Sequence, residues 1–244
     1  MDISSEYVPL RVNDGTSMRA WVARPKVAGS LPGLLVFQEA FGVNAHIRDV
    51  AERFAREGYL AIAPELFHRT GAGFEGRYDD FPSAMPHMRA LNDSNMAADQ
   101  RAAYDWLCAN GAQELAVSAV GYCMGGRAAF LAAITLPLAA AVCYYGGGIA
   151  PNAGSPGLLG RIGGLRSPLL LFWGGRDKHI TTEHVRAVTD ALRAVGKNFV
   201  NVEISNADHG FFCDARASYS PAAAAQAWPL TLAFLRTHAA QASK

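Results

Sequence analysis

Short, nearly unbroken apolar runs alternate with segments of helical spacing along most of the chain, and this alternation limits the fold more than any other feature. Leu34-Leu35-Val36-Phe37-Gln38 follows Pro32-Gly33 and suits a strand buried on both faces. Ile47, Val50, Ala51 and Phe54 then recur at helical spacing, which predicts a helix over 46–57 closed by Gly58. The same reading gives strands at 59–63, 115–122, 139–145, 169–173 and 199–204, with helices at 93–110, 123–135, 182–195 and 221–238. Two further strands, 6–12 and 18–24, flank the turn signal Asn13-Asp14-Gly15. Residues 65–90 are polar and broken by Gly and Pro, and no element is assigned there; 146–166 reads as a Gly-rich loop. Alternation at this spacing implies βαβ units, hence a single α/β domain over 1–244 with a mostly parallel, doubly wound sheet covered by helices on both faces.

Composition narrows the function classes. Half of the 244 residues are hydrophobic and 18% are charged, against roughly 25% in an average soluble domain. A chain of this kind buries a large core and is not disordered. Lys plus Arg (22) nearly balances Asp plus Glu (21), and no basic run occurs, so no nucleic-acid partner is expected. The cysteines at 108, 123, 143 and 213 form no CxxC pair and no zinc-ligand spacing, which suits free thiols in a reducing compartment. Met1-Asp2-Ile3-Ser4-Ser5-Glu6 has no basic segment leading into an apolar one, so no signal peptide is read. The apolar stretch 128–145 is interrupted by Pro137 and reads as a buried helix followed by a strand, not a membrane span. A cytoplasmic protein without membrane contact, monomeric or a small homo-oligomer, is expected.

The sharpest chemical signal is Gly121-Tyr122-Cys123-Met124-Gly125-Gly126, which joins a predicted strand to a predicted helix. Glycines two residues either side of a nucleophile allow the strained turn that lifts its side chain to the carboxyl edge of a sheet. Cys123 then sits at a helix N-terminus, where the dipole favours a thiolate, and the Met124 N–H faces the place where an oxyanion forms. Asp177 and His209 each fall just past a later predicted strand. The order nucleophile, acid, histidine at 123, 177 and 209 is that of the α/β-hydrolase fold. Asp208 and Asp214 are rival acids, but Asp208 adjoins the histidine in sequence and is badly placed to orient its ring. The histidines at 46, 68, 87, 179, 184 and 238 lack such context, show no metal-ligand spacing and read as surface residues. No metal and no cofactor is expected. The loop after the first long buried strand supplies a second oxyanion N–H in this fold, and it carries Glu39, an expensive charge beside a developing oxyanion unless paired or used.

Taken together, Gln38-Glu39-Ala40-Phe41-Gly42-Val43-Asn44, the cysteine elbow, Tyr144-Tyr145-Gly146 and Gly174-Gly175-Arg176-Asp177 resemble the dienelactone hydrolase family over about residues 36–235. The resemblance implies Cys123 as nucleophile, His209 as base and Asp177 as its orienting partner. It makes Glu39 the carboxylate that helps create the thiolate when substrate enters, Ala40 and Met124 the oxyanion donors, and Tyr145 a pocket residue. Members acting on dienelactone hold its carboxylate with arginines; here the position four residues after the histidine is Cys213, and Phe81 stands near the other, with Arg77 and Arg216 as unmatched substitutes. The expected activity is hydrolysis of a small-molecule lactone or activated (enol) ester through a Cys-His-Asp triad and a cysteine acyl-enzyme, with neutral or bulkier substrates preferred over a free acid. A thiol-based redox or electrophile sensor would need a resolving thiol, which no CxxC supplies. A non-catalytic binding module would be marked by loss of a triad member, and none is lost.

Overall fold

The computed structural model describes residues 1–152 and 154–242. In chain order the elements are β1 (Ile3–Arg11), β2 (Ser17–Pro25), β3 (Leu31–Phe37), α1 (Ala45–Arg56), β4 (Leu60–Pro64), α2 (His68–Gly71), α3 (Phe81–Ala90) and α4 (Asp93–Ala109). They continue with β5 (Ala112–Tyr122), α5 (Met124–Thr135), β6 (Ala141–Tyr144), a 3₁₀ turn (Leu159–Gly164), β7 (Leu169–Gly174), α6 (Thr182–Ala194), β8 (Phe199–Ile204) and α7 (Pro221–Ala242). One eight-stranded sheet runs β1-β2-β4-β3-β5-β6-β7-β8. The hairpin β1–β2 is antiparallel, β2 meets β4 antiparallel, and every other pair is parallel.

Burial follows the sequence pattern. β4, β6 and β7 are buried at every residue, as continuous apolar runs between helix layers must be. Helices α1 and α7 share one face, where Phe54 packs on Trp228 at 4.6 Å between ring centroids. Helices α4 and α5 pack together on the other. α1 starts where Asn44 accepts a hydrogen bond from the Ile47 N–H (3.2 Å), an N-cap followed by an apolar stripe.

The structure departs from the sequence reading mainly in 65–90. That stretch holds α2 and α3, although Pro82 and Pro86 both lie in α3. A proline is tolerated in the first turn, where N–H groups lack partners anyway, and the Asp80 side chain caps the turn through the Ser83 N–H (3.4 Å). β1 begins three residues earlier than the predicted 6–12, and β5 at Ala112 instead of 115. His46 and His68 are buried, not surface residues. His68 Nε2 lies 3.1 Å from Asp99 Oδ1, and Arg69 grips the same carboxylate with two nitrogens at 2.8 Å, so this polar cluster ties α2 to α4. No described helix is long and apolar enough to cross a membrane.

Candidate active site

The carboxyl ends of β3, β5, β7 and β8 converge on one pocket of about 880 Å³, whose wall includes Cys123, Met124, His209, Phe41, Phe81 and Arg216. The turn after β5 puts Cys123 at φ 58° and ψ −119°, a left-handed conformation that costs a non-glycine residue on the order of 1–3 kcal/mol. The flanking glycines make the turn possible. A Cβ on Gly121 would stand 1.8 Å from the Gly125 carbonyl oxygen, and one on Gly125 would stand 2.2 Å from that of Phe37. The start of α5 therefore rests directly on the backbone of Phe37 and Gln38.

His209 Nδ1 lies 2.7 Å from Asp177 Oδ2. The other Asp177 oxygen accepts from the His179 and Ile180 N–H groups at 2.7 and 3.0 Å, so one carboxylate fixes both its own loop and the imidazole. Burial by itself would raise the Asp177 carboxyl, but the His209 hydrogen bond and these backbone donors outweigh it and hold the group below its ordinary value. Burial would lower His209; the hydrogen bond to Asp177 and then that to Cys123 push it up to about 10 instead. Asp208 accepts the His209 backbone N–H at 2.6 Å and leaves the ring to Asp177. The pairing singled out by chain order is thus present in space.

The loop after β3 is built by its own side chains. Gln38 Oε1 accepts the Leu66 N–H at 3.1 Å, tying the loop to the segment after β4. Asn44, besides capping α1, donates to the Tyr78 hydroxyl at 3.0 Å. Glu39 is fully buried, with Oε1 accepting from Arg216 Nη1 at 3.0 Å and Oε2 without a partner. The Arg216 guanidinium lies 5.8 Å from the Phe41 ring centroid and 6.0 Å from that of Tyr78.

Three substrate-side expectations need correction or refinement. Cys213 is fully buried and does not reach the pocket; with Glu39 and His46 it forms a cluster whose donor atoms lie within 4.8 Å of one another. Burial and then the Glu39 charge push its thiol up to about 12. Of the two unmatched arginines weighed as substitutes for the family's carboxylate-binding residue, Arg216 lies in the pocket wall. Tyr145 is fully buried beneath His209, ring centroids 5.1 Å apart, and is no wall residue. Phe81 does line the pocket, at the start of α3, whereas Arg77 points outward and pairs with Asp79 at 2.6 Å. Sequence reasoning missed Tyr78 and Met88, both in the unassigned stretch, and His179, whose ring stands edge-on to His209 at 5.6 Å. The Asn44 to Tyr78 bond joins residues 34 apart, and no local signal announces it.

The model of the dienelactone hydrolase family matches residues 18–239. A Synechocystis protein named "Putative carboxymethylenebutenolidase" is 35% identical over 237 residues, 93% of this chain and 94% of its own. A Salmonella typhimurium protein of the same name is 38% identical over 221 residues, 88% of this chain and 81% of its own. The Klebsiella pneumoniae crystal structure described as a "Putative Dienelactone Hydrolase" superposes with a TM-score of 0.89 at 33% identity, covering 97% of this chain and 99% of the other.

Proposed function

Because the chain belongs to the dienelactone hydrolase family, a hydrolase of the carboxymethylenebutenolidase kind, we propose that it opens lactones or enol esters through a Cys123 acyl-enzyme. The observation that carries this reading is the strained Cys123 turn in the pocket wall, beside an imidazole held at 2.7 Å by a buried carboxylate. The proton account closes without a cofactor. Cys123 Sγ attacks the carbonyl carbon as its proton passes to Glu39, and the Ala40 and Met124 N–H groups receive the oxyanion. The carbon–oxygen bond breaks and the departing enolate takes the proton of His209, whose imidazolium form the Asp177 carboxylate favours. The now neutral imidazole removes a proton from water, whose hydroxide attacks the thioester. The released thiolate recovers its proton from Glu39.

Arg216 is the latch in this scheme. It occupies Glu39 in the free protein and faces the pocket, so a substrate carboxylate that engages the guanidinium frees Glu39 to accept the thiol proton. The substrate is then an apolar lactone or enol ester bearing an acid, bounded by Phe41, Phe81 and Met88. Charge-assisted hydrogen bonds contribute roughly 1.5–3 kcal/mol, or about one to two decades in kcat/KM. In an assay with a matched acid and methyl ester, the acid should be favoured by that factor and the preference should vanish in Arg216→Gln. An activated aryl ester should meanwhile give a stoichiometric burst that iodoacetamide blocks. Absence of any burst would count against the acyl-enzyme.

A further inference from the structure

Behind the pocket lies a second set of chemical groups that the hydrolytic scheme uses only in part. His46 sits at the start of α1 with its side chain 1% exposed, Nδ1 at 3.3 Å from Asp214 Oδ1, and Nε2 buried without a partner. Glu39 Oε2 is likewise buried and unpartnered. Cys213 completes the group, with donor atoms of all three residues within 4.8 Å of one another. Each of these orphaned polar atoms has given up its hydration without gaining a partner, an arrangement that calls for an occupant.

We propose that Glu39, His46 and Cys213 form a binding site for a thiophilic divalent cation of the zinc class. One nitrogen, one sulfur and one carboxylate oxygen are the donors this cation takes, with water in the fourth place. A bridging water would satisfy the nitrogen and the oxygen but gains little from the sulfur, whereas a soft cation uses all three. The surroundings are those of a metal site too. A metal-bound histidine usually gives its other ring nitrogen to a carboxylate, and Asp214 is there, itself held by Arg53 at 2.6 Å. The other oxygen of Glu39 is held by Arg216. Bonds of about 2.0–2.3 Å place tetrahedral donors roughly 3.3–3.8 Å apart, so donor pairs now up to 4.8 Å apart close by at most about 1.5 Å on binding. Cys213 gives up its thiol proton to solvent on binding. The two anionic ligands then balance the cation.

The site itself is independent of the hydrolytic reading. Its consequence rests on that reading: a cation on Glu39 removes the acceptor of the Cys123 proton and stops turnover.

The test is made in Cys123→Ala, so that the reactive sulfur cannot be the ligand. Titration with Co²⁺ should give a thiolate-to-metal charge-transfer band at one equivalent, and Zn²⁺ should abolish it by displacement. Cys213→Ala or His46→Gln in that background should remove the band, and Asp214→Asn should weaken binding about 10–100-fold. No band in Cys123→Ala overturns the site whatever the other variants do, and so does a band that persists without Cys213. In the wild-type protein Zn²⁺ should inhibit hydrolysis, with recovery in chelator. Binding without inhibition would uphold the site and count against the role given to Glu39.

Discussion

The described residues hold two Cys-His-Asp sets: Cys123, His209 and Asp177 at the pocket, and Cys213, His46 and Asp214 in the buried cluster that includes Glu39. Their chemistry is nominally the same, and their surroundings are opposite. In the first, Asp177 is 1% exposed in its side chain and bonds the ring at 2.7 Å, while Cys123 and His209 face the pocket. In the second, Asp214 is 43% exposed and stands at 3.3 Å, shared with Arg53, while the thiol and imidazole are sealed from the pocket. A nucleophile needs substrate access and a base whose partner is not screened by water; among the described residues the first set has both. Residue types define what a cluster could do, and its orientation toward a cavity decides what it does.

The strongest way to break this comparison is to remove the sulfurs separately. Cys123→Ala should lower kcat by on the order of 10⁴-fold or more, as expected when members of a unit act together. Its melting temperature should change little, since the glycines around the turn, not sulfur, relieve the backbone. More than a few per cent residual activity would mean that the nucleophile is elsewhere. The two acids come next. Asp177→Asn should cost on the order of 10³–10⁴ in kcat through loss of ring orientation, whereas Asp214→Asn should cost less than about tenfold. Equal losses would erase the distinction between the two sets.

Stability against pH gives a sharper reading of the first set. His209 is raised from 6.5 to about 10, so its contribution to folding is fully present below pH 6.5 and fades as pH rises through 10. Asp177 is held below its ordinary 3.8, so its contribution is present above that value and lost as pH falls through the lowered one. The urea midpoint of the wild type should therefore exceed that of Asp177→Asn between pH 5 and 6.5. The gap should narrow steadily toward pH 10, as the imidazolium that benefits from the carboxylate disappears. A gap that stays constant over that range would show that Asp177 stabilises the protein through its backbone bonds alone.

What was legible in the sequence was what is local. The apolar runs of β3 to β7 and the glycines around Cys123 leave signals within a few residues, because burial on two faces and a positive φ each restrict the residues that fit. Asp177 and His209 were found by their position after strands, which the parallel sheet turns into proximity. The second set was hidden because its members come from a loop, a helix start and a turn that no periodicity connects. α3 was hidden because two prolines mask a helix whose first proline occupies a permitted position. Arg216 stands in the sequence only as an unmatched substitute beside Arg77, because spacing from His209 fixes the chain position of a side chain and says nothing of its reach.

The smallest expected effect separates the two thiols without asking for activity. Brief iodoacetamide treatment of the native protein near neutral pH should leave Cys213 unmodified, because its sulfur is buried and its pKa is pushed up to about 12. Cys143, fully buried and pushed higher still, should also resist, and peptide mass analysis identifies each site. Cys123 reacts slowly if Arg216 keeps Glu39 occupied, and faster when a non-hydrolysable acid analogue engages that guanidinium. Cys213→Ser is then the fine control. Its hydroxyl has nearly the volume of the thiol and gains Glu39 Oε2 as a possible acceptor, so kcat/KM should change by less than about threefold and stability by about 1 kcal/mol at most. A tenfold loss in kcat with the acid substrate and an unchanged labelling rate would show that Cys213 positions Glu39 for proton transfer, and the second set would then belong to the reaction after all.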